Sequence, residues 1–423
     1  MPLKIVICGG GMAGLAAAAY LREHHDVTVL EGSGLDSTKG GFGFSVFSNA
    51  ACLLGRLGLT DTKLDAAPLG NFWFRDGKTM EEYRTTPLVR PTFGIVPSLS
   101  LQRGALYNAL YECATSACRP GKPADVQYGI KVLQVDTASG SVRTASGEEL
   151  QGDLIIGADG ITSVTRAAIH GERATLSAPR TNDLVGFITT VPIGVVQSIP
   201  SFDFLNSCLD GGIAFFSAED QPDDRRWVDK KRILMYQTSP REWQILAYAP
   251  EGDLAADFQN ARSSLINDVS RETVMHKFAE FSSDLQSLFN HSPIHVWRIQ
   301  DMKEFGEWHK KKAVLIGDAA HSIIPYAGQG FNIALEDAEA LAYFLRDTHT
   351  SKDVAAALET FVDARRGRVN LVRRMAMHVA GFPPAEEKGK PLSGQEVLSI
   401  FQYEGIESAQ GLKSLSHEVT GKL

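Results

Sequence analysis

The chain has 423 residues, 43% of them hydrophobic and 22% charged, the make-up of an ordinary globular protein with room for two or three domain-sized units. A formal net charge of −8 and a pI near 5.8 argue against a nucleic-acid or anionic-membrane surface, because such partners are met mainly by cationic side chains. No apolar run is long enough to span a bilayer, and the first strand starts so near Met1 that no signal peptide is expected.

The five cysteines (Cys8, Cys52, Cys113, Cys118, Cys208) show no CxxC spacing and no neighbouring histidine pair, so inert thiols in a reducing cytoplasm and no metal site are expected. The C-terminal GKL faintly resembles a peroxisomal tripeptide but lacks the preferred first residue.

In chain order, LKIVIC at 3–8 suits a buried parallel strand. Gly9-Gly10-Gly11-Met12-Ala13-Gly14 then fits GxGxxG, LAAAAYLREHH reads as a helix, and DVTVLE as a second strand ending at Glu31. Glu31 lies about 20 residues beyond the glycines, the spacing at which an acid reaches a ribose hydroxyl. Gly9 makes the tight turn, Gly11 lets backbone approach a pyrophosphate, and Gly14 lets helix and strand close up, while the helix N-terminus offers free N–H groups to an anion. Together these predict a dinucleotide site, whereas a ligand-free glycine turn would leave Glu31 unexplained.

Residues 71–84 are expected to form a hairpin about Asp76-Gly77, 99–118 a helix with Arg103 at its start, and 126–158 a strand meander with turns at Ser139-Gly140 and Ser146-Gly147. Residues 184–250 are strand-rich around a solvated charged loop, EDQPDDRRWVDKK. Residues 256–290, 335–346 and 355–380 read as helical. Neither Gly32-Ser33-Gly34 nor Gly328-Gln329-Gly330 carries the third glycine, so only one dinucleotide has a home of this type.

The stretch GDAAHSIIPYAGQGFNIALED begins at Gly317 after the apolar run AVLI. Asp318 should stand at the carboxyl end of a buried strand, where a polyol could satisfy it. A helix starting near Gly330 would turn its positive end on a flat ring that becomes anionic on reduction, which suits flavin better than nicotinamide. A merely capped helix remains the alternative at this point.

A third stretch, DLIIGADGITSVTR at 153–166, completes a pattern. Together the three resemble the fingerprints of the group A FAD-dependent monooxygenases, the salicylate hydroxylase and p-hydroxybenzoate hydroxylase-like family. The middle one matches DGxxSxxR as Asp159, Gly160, Ser163 and Arg166; the last matches the GD motif as Gly317, Asp318, His321, Pro325, Gly328, Gln329, Gly330 and Asn332. GFGFSVFSNA at 41–50, which contains Gly43, resembles GAGIxLxPNA with Ser48 in place of proline, and LQRGALYNAL carries Arg103. VWRIQDMKEFGEW at 296–308 and FVDARRGRVNLV further on are similar to segments flanking the GD motif.

The resemblance implies an α/β fold with a Rossmann-like GR2-type FAD-binding domain, a second domain on a mostly antiparallel sheet, and C-terminal helices. The expected division is 1–70, 94–181 and 290–350 for FAD, 71–93 with 182–289 for substrate, and a C-terminal helical region at 351–423. Glu31 would hold the adenosine ribose, Asp318 the ribitol, and Arg103 would lie near the ribityl–pyrophosphate region, while Asp159 belongs to a stretch linked to FAD and NAD(P)H. Gly32 stands where many members have arginine.

The chemistry implied is insertion of one oxygen atom from O₂ into an aromatic small molecule, phenolic or polyketide-like, through a flavin C4a-hydroperoxide, with non-covalent FAD and NADPH or NADH as co-substrate. Such an enzyme, a monomer or homodimer of the kind found in secondary metabolism, would bind no nucleic acid and no membrane. Tyr236, in KRILMYQT, stands where some members present a tyrosine to substrate; core packing is its alternative. His321, Trp297 and Trp308 read as structural. A reductase or dehydrogenase on the same fold, or a redox-dependent binding module, are the rival readings, and the WxWxIP motif of flavin halogenases is absent.

Overall fold

The computed structural model describes residues 1–35, 42–171, 179–206, 208–218, 231–252, 254, 257–258, 265–302, 306–381 and 392–409. The charged stretch 219–230 and the C-terminal tripeptide lie outside the described residues.

The run Lys4–Cys8 (β1) lies inside a six-stranded sheet whose order is 309–310, 313–315, 154–157, β1, Asp26–Glu31 (β2), 125–128. Every neighbouring pair is parallel except the short edge strand at 309–310. The crossover helix Met12–Leu21 (α1) is apolar nearly all round and buried, as a helix must be when sheet lies on one side and helices on the other.

Two expectations change here. Asp125–Tyr128 and Leu154–Gly157 belong to this parallel sheet, and the meander is only 132–136, 141–144 and 149–151. LIIG is a continuous apolar run and needs cover on both faces, which a meander at the surface cannot supply. The second change concerns Gly43–Val46 (β3), which pairs antiparallel with Leu99–Gln102 (β4). That pairing takes the first four residues of the expected helix at 99–118, and the helix runs Arg103–Thr115 (α2).

The second large sheet has eight strands, ordered 265–266, 295–302, 179–192, Glu242–Pro250, Arg232–Ser239, 213–217, 71–76, 82–87. We label Arg232–Ser239 β5 and Glu242–Pro250 β6. All its neighbours are antiparallel except 213–217 with 71–76. The hairpin about Asp76-Gly77 is its edge, with Asp76 accepting the N–H groups of Lys78 and Thr79. The described part of 256–290 holds a two-residue strand and two short helices, Arg271–Lys277 and Ser283–Ser287, instead of one long helix. Ser270 and Ser282 each cap a new helix start by accepting an N–H three residues on, which breaks the expected continuity.

Gly330–Leu345 (α3) packs between α1 and Ser351–Ala380 (α4), and Gly394–Phe401 (α5) follows near the end of the described residues. No helix among the described residues is long and apolar enough to cross a membrane.

Candidate functional site

Four adjacent parallel strands end on one edge: 313–315, 154–157, β1 and β2. Just beyond them stand Asp318, Asp159, the Gly9–Gly14 turn and Glu31, in that order across the sheet. Three strand spacings of ~4.8 Å make this row about 14 Å wide, the span of an elongated dinucleotide crossing the carboxyl edge.

Gly9 has φ +104, and a Cβ on Gly14 would lie 2.0 Å from the Gly9 carbonyl oxygen, so both positions exclude any side chain. Around the missing Cβ of Gly11 there is no heavy atom within 4 Å. Met12 and Ala13 follow as the first residues of α1, whose N-terminus has no side-chain cap. Its free N–H groups and dipole thus face open space beside the glycines. Glu31 is held by the N–H groups of Gly10 (2.8 Å) and Ser33 (2.7 Å).

Asp159 accepts from the Thr165 backbone and hydroxyl at 3.0 Å each and from the Ser163 hydroxyl, bracing the loop that follows its strand. Arg166, buried behind that loop, donates to the carbonyls of Gly160 and Ile161 and to Ala319 (3.0 Å), so the second and third fingerprints are joined by one guanidinium. Gly317 (φ +57) turns the chain so that Asp318 begins a short helix. Protein surrounds Asp318 on most sides, yet its side chain opens to solvent. Burial pushes its carboxyl upward while His321 and Arg166 pull it back. Because the side chain is exposed, a ligand can reach it.

On the other flank, Pro325 opens a tight turn, Gly328 is left-handed, and α3 starts at Gly330 without a side-chain cap. Asn332 is fully buried: its carboxamide accepts from Phe47 N–H (2.8 Å) and donates to the carbonyls of Ser45 (3.1 Å) and Gly328 (2.9 Å). It is thereby placed to position this flank rather than to touch a ligand. Arg103 is the first residue of α2, and its N–H donates to Phe42 O at 3.2 Å, just before Gly43.

Behind α3 lies an ionic cluster that the sequence reading did not anticipate. Asp337 accepts from Gly317 N–H (3.0 Å), His321 Nε2 (2.5 Å) and Arg365 Nε (2.9 Å). Glu336 accepts from Asn49, Arg365 and Arg368. Burial would raise both carboxyls, but Arg368 and Arg365 around Glu336, and His321 and Arg365 around Asp337, outweigh it and hold both below the usual carboxylate range. A signal was present: two adjacent acids inside an apolar helix, with DARRGR one helix later.

Strand register defines the face that the large sheet turns toward this edge. One row carries Tyr248, Arg232 and Ser217, the next Leu246, Leu234, Phe215 and Phe74, and the third Gln244, Tyr236, Ile213 and Phe72. The first row meets the flank where Tyr248 stacks on Tyr326 at 5.1 Å, and the third where Phe72 meets Phe47 at 6.2 Å. The middle row spans the gap between. Arg232 is 3% exposed, and burial pushes its guanidinium down to about 9 against the opposing pull of Tyr326 and Tyr248. Tyr236 is buried, and its hydroxyl donates to the Gly43 carbonyl at 3.0 Å. Burial holds that phenol far above its ordinary range, with Gln244 opposing.

The donors and spaces at the edge fit FAD: uncapped helix starts for a pyrophosphate and a flavin ring, carboxylates for two hydroxylated chains, and open space at Gly11 and Gly330. Among the described residues no group of three or more His, Cys, Asp or Glu could hold a metal ion.

Known proteins agree. The sequence profile of the FAD binding domain family matches residues 133–376, over half of the chain, and the protein belongs to that family. It is an FAD-dependent monooxygenase that takes its electrons from NAD(P)H. It is 27% identical to hispidin-3-hydroxylase of Neonothopanus nambi over 421 residues, covering 98% of this chain and 97% of that one. It is 25% identical to salicylate hydroxylase of Pseudomonas putida, covering 95% and 92%. Klebsiella pneumoniae HpxO, solved with FAD and uric acid, shares the fold at a TM-score of 0.72 and 21% identity, covering 95% of this chain and 96% of that one.

Proposed function

We propose that the enzyme hydroxylates an electron-rich aromatic molecule, a phenol or polyketide-like ring carrying an acidic hydroxyl. The observation that carries this reading is the sheet face on which Phe215, Phe74 and Phe72 lie beside a buried arginine, Arg232. Aromatic walls accept a flat ring, and a poorly solvated cation stabilises the phenolate that makes such a ring nucleophilic. The names of the hispidin and salicylate hydroxylases support ring hydroxylation in relatives.

Bound FAD supplies electron transfer from NAD(P)H and activation of O₂. In this reading Glu31 takes the adenosine ribose and Asp318 the ribitol, with Gly9, Gly11, Met12, Ala13 and Gly14 at the pyrophosphate. Pro325, Gly328, Gly330 and Gly43 frame the ring, Arg103 lies near the ribityl–pyrophosphate region, and Asp159 belongs to the stretch that meets FAD and NAD(P)H. The protein's own task is to hold the substrate ring, stabilise its anion and keep water out. The division into a discontinuous FAD domain and a substrate domain is supported by 71–76 and 82–87 joining the eight-stranded sheet. Free thiols at Cys8, Cys52, Cys113, Cys118 and Cys208 support a cytoplasmic site of action.

The test is a phenol and polyketide library screened for compounds that accelerate NADPH oxidation, followed by mass spectrometry of products formed under ¹⁸O₂. One labelled oxygen in the product is expected. Stimulated NADPH oxidation with no label in any product would make the enzyme a reductase on this substrate class and overturn the proposal.

A further inference from the structure

The strand β3 borders the ring side of the site, and among the described residues only one of its edges is paired with another strand. On that edge it meets β4, with Gly43 opposite Gln102 and Ser45 opposite Ser100. Its other edge offers the backbone groups of Gly43, Ser45 and Phe47, which need partners if buried. Two side-chain carboxamides supply them. Asn332, from α3, takes Ser45 O and Phe47 N–H. Gln244, from β6 in the large sheet, takes both groups of Gly43: its Oε1 accepts from Gly43 N–H and its Nε2 donates to Gly43 O at 2.8 Å.

A carboxamide has the donor and acceptor arrangement of a peptide group, so Gln244 pairs with Gly43 as a neighbouring strand would. Its orientation follows from chemistry, since Gly43 N–H can only donate and Gly43 C=O can only accept. The second Nε2 hydrogen goes to the Tyr236 hydroxyl, which itself donates to Gly43 O. Every hydrogen-bonding group in the cluster is used. Gln244 is 1% exposed, and a buried amide in the apolar strand WQILAYA would be costly without these partners.

The seam is also tight. A Cβ on Gly43 would lie 2.2 Å from Thr238 Cγ2 and 2.8 Å from Leu101 O, so β3 lies directly against β5. Phe42, next in the chain, accepts the N–H of Arg103. Asn332 extends the connection to Gly328. The substrate-bearing sheet, β3, the start of α2 and the Gly328 turn are therefore joined through two amides.

We infer that Gln244, with Tyr236 as its partner, is a positioning residue for monooxygenation: it clips the substrate-bearing sheet to β3 and so sets the distance between the substrate ring and the ring side of the FAD site. This rests on the monooxygenase reading above. Oxygen transfer is sensitive to that distance, and a misplacement of about 1 Å can cost a hundredfold in rate. Most of the groups assigned to FAD in this reading, the Gly9–Gly14 turn, Glu31 and Asp318, stand apart from the Gln244–Gly43 pair, so FAD binding and reduction by NADPH should fall less than oxygen transfer.

The test compares holoenzyme of wild type, Gln244→Glu and Tyr236→Phe with a substrate the wild type hydroxylates, so that failure of the monooxygenase reading would already show in the wild type. Gln244→Glu keeps the shape and the acceptor for Gly43 N–H but, when ionised, sets an oxygen against Gly43 O. FAD content and NADPH oxidation should stay within about threefold of wild type, while product formed per NADPH falls roughly tenfold and hydrogen peroxide makes up the difference. Tyr236→Phe removes one of two donors to Gly43 O and should show a smaller change of the same kind. It decides the matter if Gln244→Glu fails to fold. An unchanged product-to-NADPH ratio overturns the inference. So does a parallel fall in FAD content, NADPH oxidation and product, which would make Gln244 structural only.

Discussion

Asp337→Asn tests whether the ionic cluster behind α3 supports the FAD edge. Asp337 is fully buried and holds three donors, Gly317 N–H, His321 Nε2 and Arg365 Nε. Asparagine keeps the size but offers one acceptor oxygen and an amino group. Whichever way the amide turns, that amino group faces either Arg365 or the Gly317–His321 pair. Removing one partner of a buried ion pair typically costs about 3–5 kcal/mol. Arg365 keeps Glu336 at 2.8 Å and Ile333 O at 3.2 Å, which places the loss near the lower end, about 3 kcal/mol. Urea unfolding of the FAD-free protein measures it. Gly317 immediately precedes Asp318, so FAD affinity by fluorescence titration should also fall, by roughly tenfold. Both carboxyls are held below their ordinary range when folded, so their stabilisation is complete above the unfolded carboxylate range, about pH 4–4.5, and is lost as pH falls toward the folded values. Asp337→Asn should therefore lose less stability than wild type on acidification. Unfolding free energy within about 0.5 kcal/mol of wild type, with unchanged FAD affinity, would refute the reasoning.

Asp318→Ala should weaken FAD binding by roughly ten- to a hundredfold in the same titration, the usual loss for hydrogen bonds to a charged group; equal affinity would remove Asp318 from the ribitol. Arg232→Met should raise KM much more for an ionised phenol than for a matched neutral ring, and a uniform rise would mean that Arg232 only packs. Calorimetry should find no tight NADPH complex with the oxidised, substrate-free enzyme, because the chain carries one complete GxGxxG; a tight complex would contradict this.

The candidate FAD edge was legible because its signals are local. A GxGxxG turn, an acid at the end of the next strand and an acid after AVLIG each report a strand end, and parallel pairing brings these strand ends to one edge. Fates set by distant pairing were not legible. Leu99–Gln102 runs directly into the helix that starts at Arg103, yet pairing with β3, more than fifty residues away in sequence, makes it a strand. Gln244 and Arg232 are polar residues within largely apolar strands, and the groups that surround them, Gly43 and the Tyr248–Tyr326 pair, come from other segments.

The polar pieces of the interior share a logic that hydrophobic packing alone would not provide. Apolar contacts tolerate sliding, because a methyl group gains nearly as much in one hole as in the next. An ion pair or a bidentate amide does not, since a shift of an ångström leaves buried donors facing nothing. In this protein such groups stand where one element must be fixed against another: Arg166 between the second and third fingerprints, Asp337 between α3 and Gly317, Asn332 between α3 and β3, and Gln244 between β3 and the large sheet. Each fixes an element bearing on the candidate FAD edge against another such element or against the large sheet. Replacing one member by an apolar residue of similar volume leaves its buried partners unpaired, so the register loosens and some stability is lost with it. For Gln244, coupling of NADPH oxidation to product is therefore the quantity in which its loss should appear most clearly.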